Sequence, residues 1–125
     1  MPTSQMLLYA ASILVILWGI AHMFGTRGVV RGFGVLSADN QHILTMEWIV
    51  EGLALITLGR FVATATAIDS SSAVADGVYA IAALSLIVLA ILSRFTGFRV
   101  RFLPFRLCPL MFGVAAALIV WGGLL

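Results

Sequence analysis

The stretch I-L-T-M-E-W-I-V-E-G-L-A-L-I-T-L-G-R-F-V-A-T-A-T-A, residues 43–67, is apolar along most of its length. It nevertheless carries Glu47 and Glu51, four residues apart, near its start. An α-helix rises about 1.5 Å per residue and needs about 20 apolar residues to cross the hydrocarbon core of a bilayer. Because lipid offers the backbone no hydrogen-bond partners, this stretch predicts a membrane-spanning helix rather than a strand or a loop.

The rest of the chain has the same character. Of its 125 residues 62% are hydrophobic and only 10% are charged, and its mean hydropathy is +1.16. A soluble domain has about 25% charged residues. Three further apolar runs of spanning length, residues 6–25, 73–92 and 107–125, lack the alternating polarity of barrel strands. We therefore predict an all-α fold, a four-helix transmembrane bundle with up-down topology, in a single integral membrane domain over residues 1–125.

The arginines predict how the bundle is oriented. Six of the seven lie in or beside the connections 26–42 and 95–106, whereas the connection 68–76 has two aspartates and no basic residue. Connections rich in arginine stay in the cytoplasm, so we predict both termini outside the cytoplasm, in a cell inner membrane. Residues 1–5 contain no Lys or Arg, so we expect the first run to be a retained span rather than a cleaved signal peptide.

Several other classes of function have little support. The net charge is only +2 and no cluster of basic residues resembles a nucleic-acid footprint, so no nucleic-acid partner is predicted. Cys108 is the single cysteine, which excludes an internal disulfide and any CxxC motif, and we expect it at a helix start beside Pro109. With two histidines and no CxxCH motif, haem has poor support. No metal site is predicted, and the cofactor is left open.

A polar layer is the candidate site. At 100° per residue, Asn40, Glu47 and Glu51 fall within about 40° of one another on the second span. Antiparallel pairing of the first two spans brings His22 to the depth of Glu47, with two tryptophans beside them. The candidate ligand-binding residues are His22, Glu47, Glu51, Trp18, Trp48 and Asn40.

An ionised acid within a span costs about 2.5–3.5 kcal/mol, so Glu51 is expected to face the bundle interior and to have a partner. Glu47 and Glu51 should share a proton, or be neutralised by His22 or an arginine. Plainer interpretations remain open. His22 can bond a carbonyl at a helix end, Glu47 can lie at the interface near a helix N-terminus, and the tryptophans can simply pack.

Two local features have structural interpretations. The connection 26–42 is expected to be an interfacial turn that ends with Ser37 or Asp39 as the N-cap of the second span. Gly113 and Ala117 would allow close approach between helices.

The segment E-G-L-A-L-I-T-L-G-R-F-V-A-T-A-T-A, residues 51–67, resembles the second span of DoxX-like small four-span membrane proteins. L-W-G-I-A-H-M-F, residues 17–24, is similar to the first span of that group. The resemblance covers about half of the chain. It implies a small inner-membrane protein associated with quinone-linked or thiol redox systems.

Four functions are compatible with these features. We favour a membrane protein that binds an apolar or quinone-like ligand, or serves a membrane redox complex, through the polar layer of His22, Glu47 and Glu51. The alternatives are a proton-coupled small-molecule transporter that uses Glu51, a structural or assembly subunit without chemistry, and a membrane enzyme such as an isomerase. Besides the lipid bilayer, we expect partners in a homo-oligomer or a membrane complex. Catalytic residues are unknown.

Overall fold

The computed structural model describes residues 2–125, which are helical along almost their whole length. The elements are α1 (Pro2–Phe24), α2 (Thr26–Gly32), α3 (Ala38–Asp69), α4 (Ala73–Phe95), a 3₁₀ turn (Gly97–Arg99), α5 (Leu103–Ile119) and a π-helical end (Val120–Leu124). No strand occurs within the described range. The predicted all-α bundle is therefore confirmed.

Four helical segments are long and apolar enough to cross a membrane: Thr3–Phe24, Ala38–Asp69, Ala73–Arg99 and Leu103–Leu124. Large apolar side chains such as Ile13, Leu84 and Leu110 are exposed on their outer faces. Monomeric soluble proteins rarely expose large apolar patches, whereas lipid tails cover such faces without cost. The protein is thus a small four-helix membrane protein.

The four long helices form a ring of neighbours. α1 packs on α3 and α5, and α4 packs on the same two helices. The diagonal pairs, α1 with α4 and α3 with α5, do not come within 8 Å between Cα atoms anywhere in residues 2–125. Gly19 meets Gly52 near one end of α1, while the Gln5 amide donates to the Ser70 hydroxyl at 3.2 Å near the other, so α1 and α3 run antiparallel. Up-down crossing of a membrane stays a prediction.

The helices extend beyond the apolar runs that predicted them. α3 begins at Ala38 with Ser37 as its N-cap, whose hydroxyl accepts from the Asn40 backbone N–H at 3.2 Å. Ser37 was one of the two predicted caps, and it is confirmed. The expected turn over residues 26–42 was partly wrong, because it contains the short helix α2. α5 begins at Leu103 with a proline in its first turn, so Cys108 lies inside the helix and not at its start.

α1 and α3 approach each other closely. A Cβ at Gly19 would lie 2.7 Å from the Gly52 carbonyl oxygen, and one at Gly59 would lie 2.8 Å from the Ser12 carbonyl oxygen. The predicted close approach at Gly113 and Ala117 is wrong. A Cβ at Gly113 would meet open space, and Ala117 is exposed. Glycines permit close approach only where they face a neighbouring helix.

A buried polar contact joins α3 to α4 at the end opposite His22. Tyr79 is 0% exposed, and its hydroxyl lies 3.0 Å from the Thr66 hydroxyl oxygen. Thr66 in turn donates to the Val62 carbonyl oxygen at 2.7 Å. Because Thr66 donates its only proton to that carbonyl, Tyr79 is the donor between the two hydroxyls.

Candidate functional site

A cavity of about 420 Å³ lies between the four long helices at the arginine-rich end of the bundle. α1 contributes its last turns, α3 its third and fourth turns, α4 its last turns, and α5 its first turns. The lining residues are Trp18, Ala21, His22, Trp48, Glu51, Leu89, Leu92, Ser93, Thr96, Gly97, Val100, Phe105, Cys108 and Phe112. Ligand sites are typically apolar cavities of about 300–1,000 Å³ with a few polar groups, and this cavity falls within that range.

His22 is held by Trp48. The two rings stack with their centroids 3.9 Å apart and an angle of 14° between their planes. The Trp48 indole N–H also donates to the His22 backbone carbonyl oxygen at 2.7 Å. Carbonyls in the last turn of a helix lack an intrahelical partner, and α1 ends at Phe24, so this bond satisfies one of them. One side chain of α3 therefore positions both the ring and the backbone of His22.

His22 and Glu51 form the polar pair of the cavity. His22 Nε2 lies 3.3 Å from Glu51 Oε2, which agrees with the prediction that His22 is near one of the two acids. The pair is close, but it lacks the alignment of a hydrogen bond. Nε2 is consequently a buried nitrogen without a hydrogen-bond partner among the described residues. A buried polar atom left unsatisfied costs about 1–3 kcal/mol, which a ligand atom could offset.

His22 and Glu51 differ greatly in solvent exposure. The His22 side chain is 9% exposed, whereas that of Glu51 is 51% exposed. The expectation that Glu51 faces the bundle interior is therefore only half right: it has a partner, but it lies on the rim of the cavity. This placement gives the pair one buried nitrogen and one carboxylate within reach of a ligand.

The hydroxyl and thiol groups of the wall bond to their own helices. The Ser93 hydroxyl donates to the Leu89 carbonyl oxygen at 2.7 Å, and the Thr96 hydroxyl donates to the Leu92 carbonyl oxygen at 2.8 Å. The Cys108 thiol donates to the Pro104 carbonyl oxygen at 3.4 Å. With these protons engaged, the His22–Glu51 pair is the main polar feature facing an apolar cavity.

Two of the six candidates lie outside the cavity. Glu47 is exposed and lines a second groove of about 390 Å³ beside Val30 and Phe33. Asn40 is exposed in the first turn of α3, where its backbone N–H donates to Ser37. The structure thus brings His22, Glu51, Trp18 and Trp48 around one cavity, and leaves Glu47 and Asn40 apart from it. That these residues bind a ligand stays a prediction.

Sequence reasoning missed the side of the cavity that α5 forms. Phe105, Cys108 and Phe112 line it, and their spacing of three and four residues places them on one face of that helix. Pro104 was the available signal, because proline is favoured in the first turn of a helix. A helix starting there places Cys108 within its second turn, on the same face as the two phenylalanines.

No protein-family model, curated protein or solved structure matches this chain. Within residues 2–125, no three His, Cys, Asp or Glu side chains come together as metal ligands would. The cavity and its polar pair are therefore the features that indicate a function.

Proposed function

We propose that this protein binds an apolar, quinone-like ligand in the cavity, with the polar head of the ligand at the His22–Glu51 pair. One observation carries the proposal. Among residues 2–125, a buried imidazole nitrogen without a hydrogen-bond partner lies beside a carboxylate in a cavity whose walls are mainly apolar. A polar atom in such a place favours a ligand that supplies the missing bond.

The chemistry of the pair suits a quinone head. A quinone carbonyl accepts a hydrogen bond, and a histidine ring can donate one from Nε2. A hydroquinone hydroxyl donates, and the Glu51 carboxylate accepts. The pair can therefore serve both oxidation states of one ring, while Trp18, Phe105 and Phe112 provide apolar and aromatic surface for it.

The position of the cavity fits this type of ligand. We propose an inner-membrane location with both termini outside the cytoplasm, which places the cavity at the cytoplasmic boundary of the bilayer. An apolar molecule dissolved in lipid can enter there and keep its tail in the hydrocarbon. The resemblance of residues 17–24 and 51–67 to DoxX-like proteins supports an association with quinone-linked systems, with a homo-oligomer or a membrane complex as the working unit.

Tryptophan fluorescence tests the proposal directly, because quinone rings quench nearby indoles. Trp18 and Trp48 line the cavity, whereas Trp121 lies at the other end of the bundle, on a separate groove with Leu7 and Val114. A Trp121→Phe protein in detergent reports only on the two cavity tryptophans. We expect saturable quenching by a short-chain quinone in this protein.

The matched control keeps Trp121 and replaces the cavity pair, as Trp18→Phe/Trp48→Phe. Its remaining fluorescence should fall only in proportion to total quinone, as collisional quenching does. Equal, non-saturable quenching in both proteins would contradict ligand binding and favour the assembly-subunit alternative.

A further inference from the structure

A second cluster of side chains lies next to the cavity, where α4 connects to α5. The Arg94 guanidinium carbon is 4.5 Å from the centroid of the Phe98 ring, and that of Arg106 is 5.1 Å from the same centroid. Arg94 belongs to the last turn of α4, Phe98 to the 3₁₀ turn, and Arg106 to the first turns of α5. Three elements thus bring two cations onto one aromatic ring. We call these three side chains the Arg94–Phe98–Arg106 cluster.

The turn that carries Phe98 is well fixed. The Arg99 N–H donates to the Thr96 carbonyl oxygen at 3.3 Å, and the Val100 N–H donates to that of Gly97 at 3.1 Å. A Cβ at Gly97 would lie 3.1 Å from the Phe105 carbonyl oxygen, so glycine allows the turn to approach α5 closely. The backbone that carries the ring is therefore held against α5.

The cluster has no acidic partner of its own. Residues 94–106 contain four arginines and neither Asp nor Glu. Across residues 2–125, no arginine lies within 4.0 Å of a carboxylate, since the ion pair of the described chain is His22–Glu51. Two guanidinium groups held on one ring repel each other unless an anion lies between them. Guanidinium groups match phosphate best, because their planar N–H donors pair with its oxygens.

We propose that the Arg94–Phe98–Arg106 cluster binds a phosphate anion, the group carried by anionic phospholipid headgroups and by free phosphate. The predicted orientation places the cluster at the cytoplasmic boundary, where lipid phosphates lie and where basic sites between helices bind headgroups. Phe98 orients both arginines, and the phosphate bridges them. The site is separate from the His22–Glu51 pair and does not depend on the ligand of the cavity.

Native mass spectrometry of the detergent-solubilised protein tests this site. The probes are phosphatidylglycerol and phosphatidylcholine with identical acyl chains, each added alone. We expect wild type to retain phosphatidylglycerol in preference. Arg94→Gln/Arg106→Gln should lower its affinity by roughly tenfold or more, because both charged donors to the phosphate are lost. If phosphatidylglycerol stays bound in a large excess of inorganic phosphate, the site is assigned to a lipid headgroup. If inorganic phosphate displaces the lipid, the site is assigned to phosphate itself.

The matched control is Arg27→Gln/Arg31→Gln, which removes the same charge from the same predicted side of the membrane. It should retain phosphatidylglycerol like wild type. Phe98→Leu keeps all the arginines but removes the ring that orients them, and it should also weaken binding. Circular dichroism must show unchanged helix content in each variant. Equal retention of the two lipids by wild type, or equal losses in the two double variants, would overturn the proposal.

Discussion

At the scale of single residues, the site depends on Trp48 as much as on His22. The imidazole has no hydrogen-bond partner for Nε2 within the described chain, and its place is set by the indole that stacks on it and bonds the His22 carbonyl. The depth of His22 and Glu51 could be predicted from the sequence, because helix rise alone determines it. The bond from Trp48 could not, because it depends on how α1 and α3 are rotated about their axes.

Trp48→Phe separates the ring stacking on His22 from the hydrogen bond to the His22 carbonyl. Phenylalanine keeps an aromatic ring beside His22 but loses the indole N–H, leaving the carbonyl at the end of α1 without that donor. We expect the free energy of unfolding to fall by about 1 kcal/mol or more. Thermal unfolding in detergent, followed by circular dichroism, measures the change. Trp121→Phe makes the same replacement at a side chain that is 71% exposed and should shift the midpoint little. Equal shifts of the unfolding midpoint in the two variants would contradict a structural role for the Trp48 hydrogen bond.

Glu51→Gln tests the acid of the pair. Since Glu51 lies on the rim of the cavity, we expect the free energy of unfolding to change by less than about 0.5 kcal/mol. Losing a charged acceptor should weaken binding of the hydroquinone, whose hydroxyl donates to Glu51, by roughly tenfold, the equivalent of about 1.4 kcal/mol. Glu47→Gln is the matched control, one turn earlier on α3 and outside the cavity, and it should leave binding unchanged. Titration of the Trp121→Phe fluorescence gives both affinities, and equal weakening by the two substitutions would contradict a specific role for Glu51.

At the scale of helices, the contact between α1 and α3 places His22 opposite Trp48 and Glu51. It is close because glycines face each other at Gly19 and Gly52, a device common between helices in membranes. The number and rough position of the long helices could be predicted, since apolar length determines them. The contact predicted at Gly113 rests only on glycine being small, and Gly113 faces open space. Which glycine faces a neighbouring helix depends on how its own helix is rotated about its axis. The sequence of an almost uniformly apolar helix has little pattern from which that rotation can be predicted.

Gly19→Ala should separate α1 from α3. The added Cβ would lie 2.7 Å from a backbone oxygen, Gly52 O, which cannot rotate away as a side chain would. Overpacking of this kind costs about 1–3 kcal/mol. Gly113→Ala adds the same group where there is open space, so stability should stay the same or rise by up to about 1 kcal/mol. Thermal unfolding of the two variants in the same detergent makes the comparison. Similar midpoints would contradict the close contact.

At the scale of the whole molecule, six of the seven arginines lie at the same end of the bundle as the cavity. That the chain is a membrane protein could be predicted from composition, and the structure agrees through four helices of spanning length. The distribution of arginine predicts which end faces the cytoplasm. The volume and shape of the cavity could not be predicted, because they are formed by side chains of four helices whose mutual packing leaves no simple pattern in the sequence.

Cysteine labelling in intact cells tests the orientation. In a Cys108→Ala background, Ser71→Cys lies exposed in the turn between α3 and α4, and Val35→Cys lies exposed between α2 and α3. A maleimide that cannot cross the membrane should label Ser71→Cys and leave Val35→Cys unlabelled until the cells are opened. The reverse pattern would place both termini in the cytoplasm and overturn the assignment from the arginines.

The most direct test of ligand binding in the cavity is photolabelling of the purified protein with a short-chain azidoquinone, followed by peptide mapping. If the ligand lies in the cavity with its head at His22 and Glu51, the label should fall on the cavity-lining segments, around residues 18–22, 48–51 and 89–112. Excess unlabelled quinone should suppress it, and His22→Ala should reduce it strongly. Labelling spread over the lipid-facing helices, or concentrated near Leu7 and Trp121 at the other end of the bundle, would contradict ligand binding at this site.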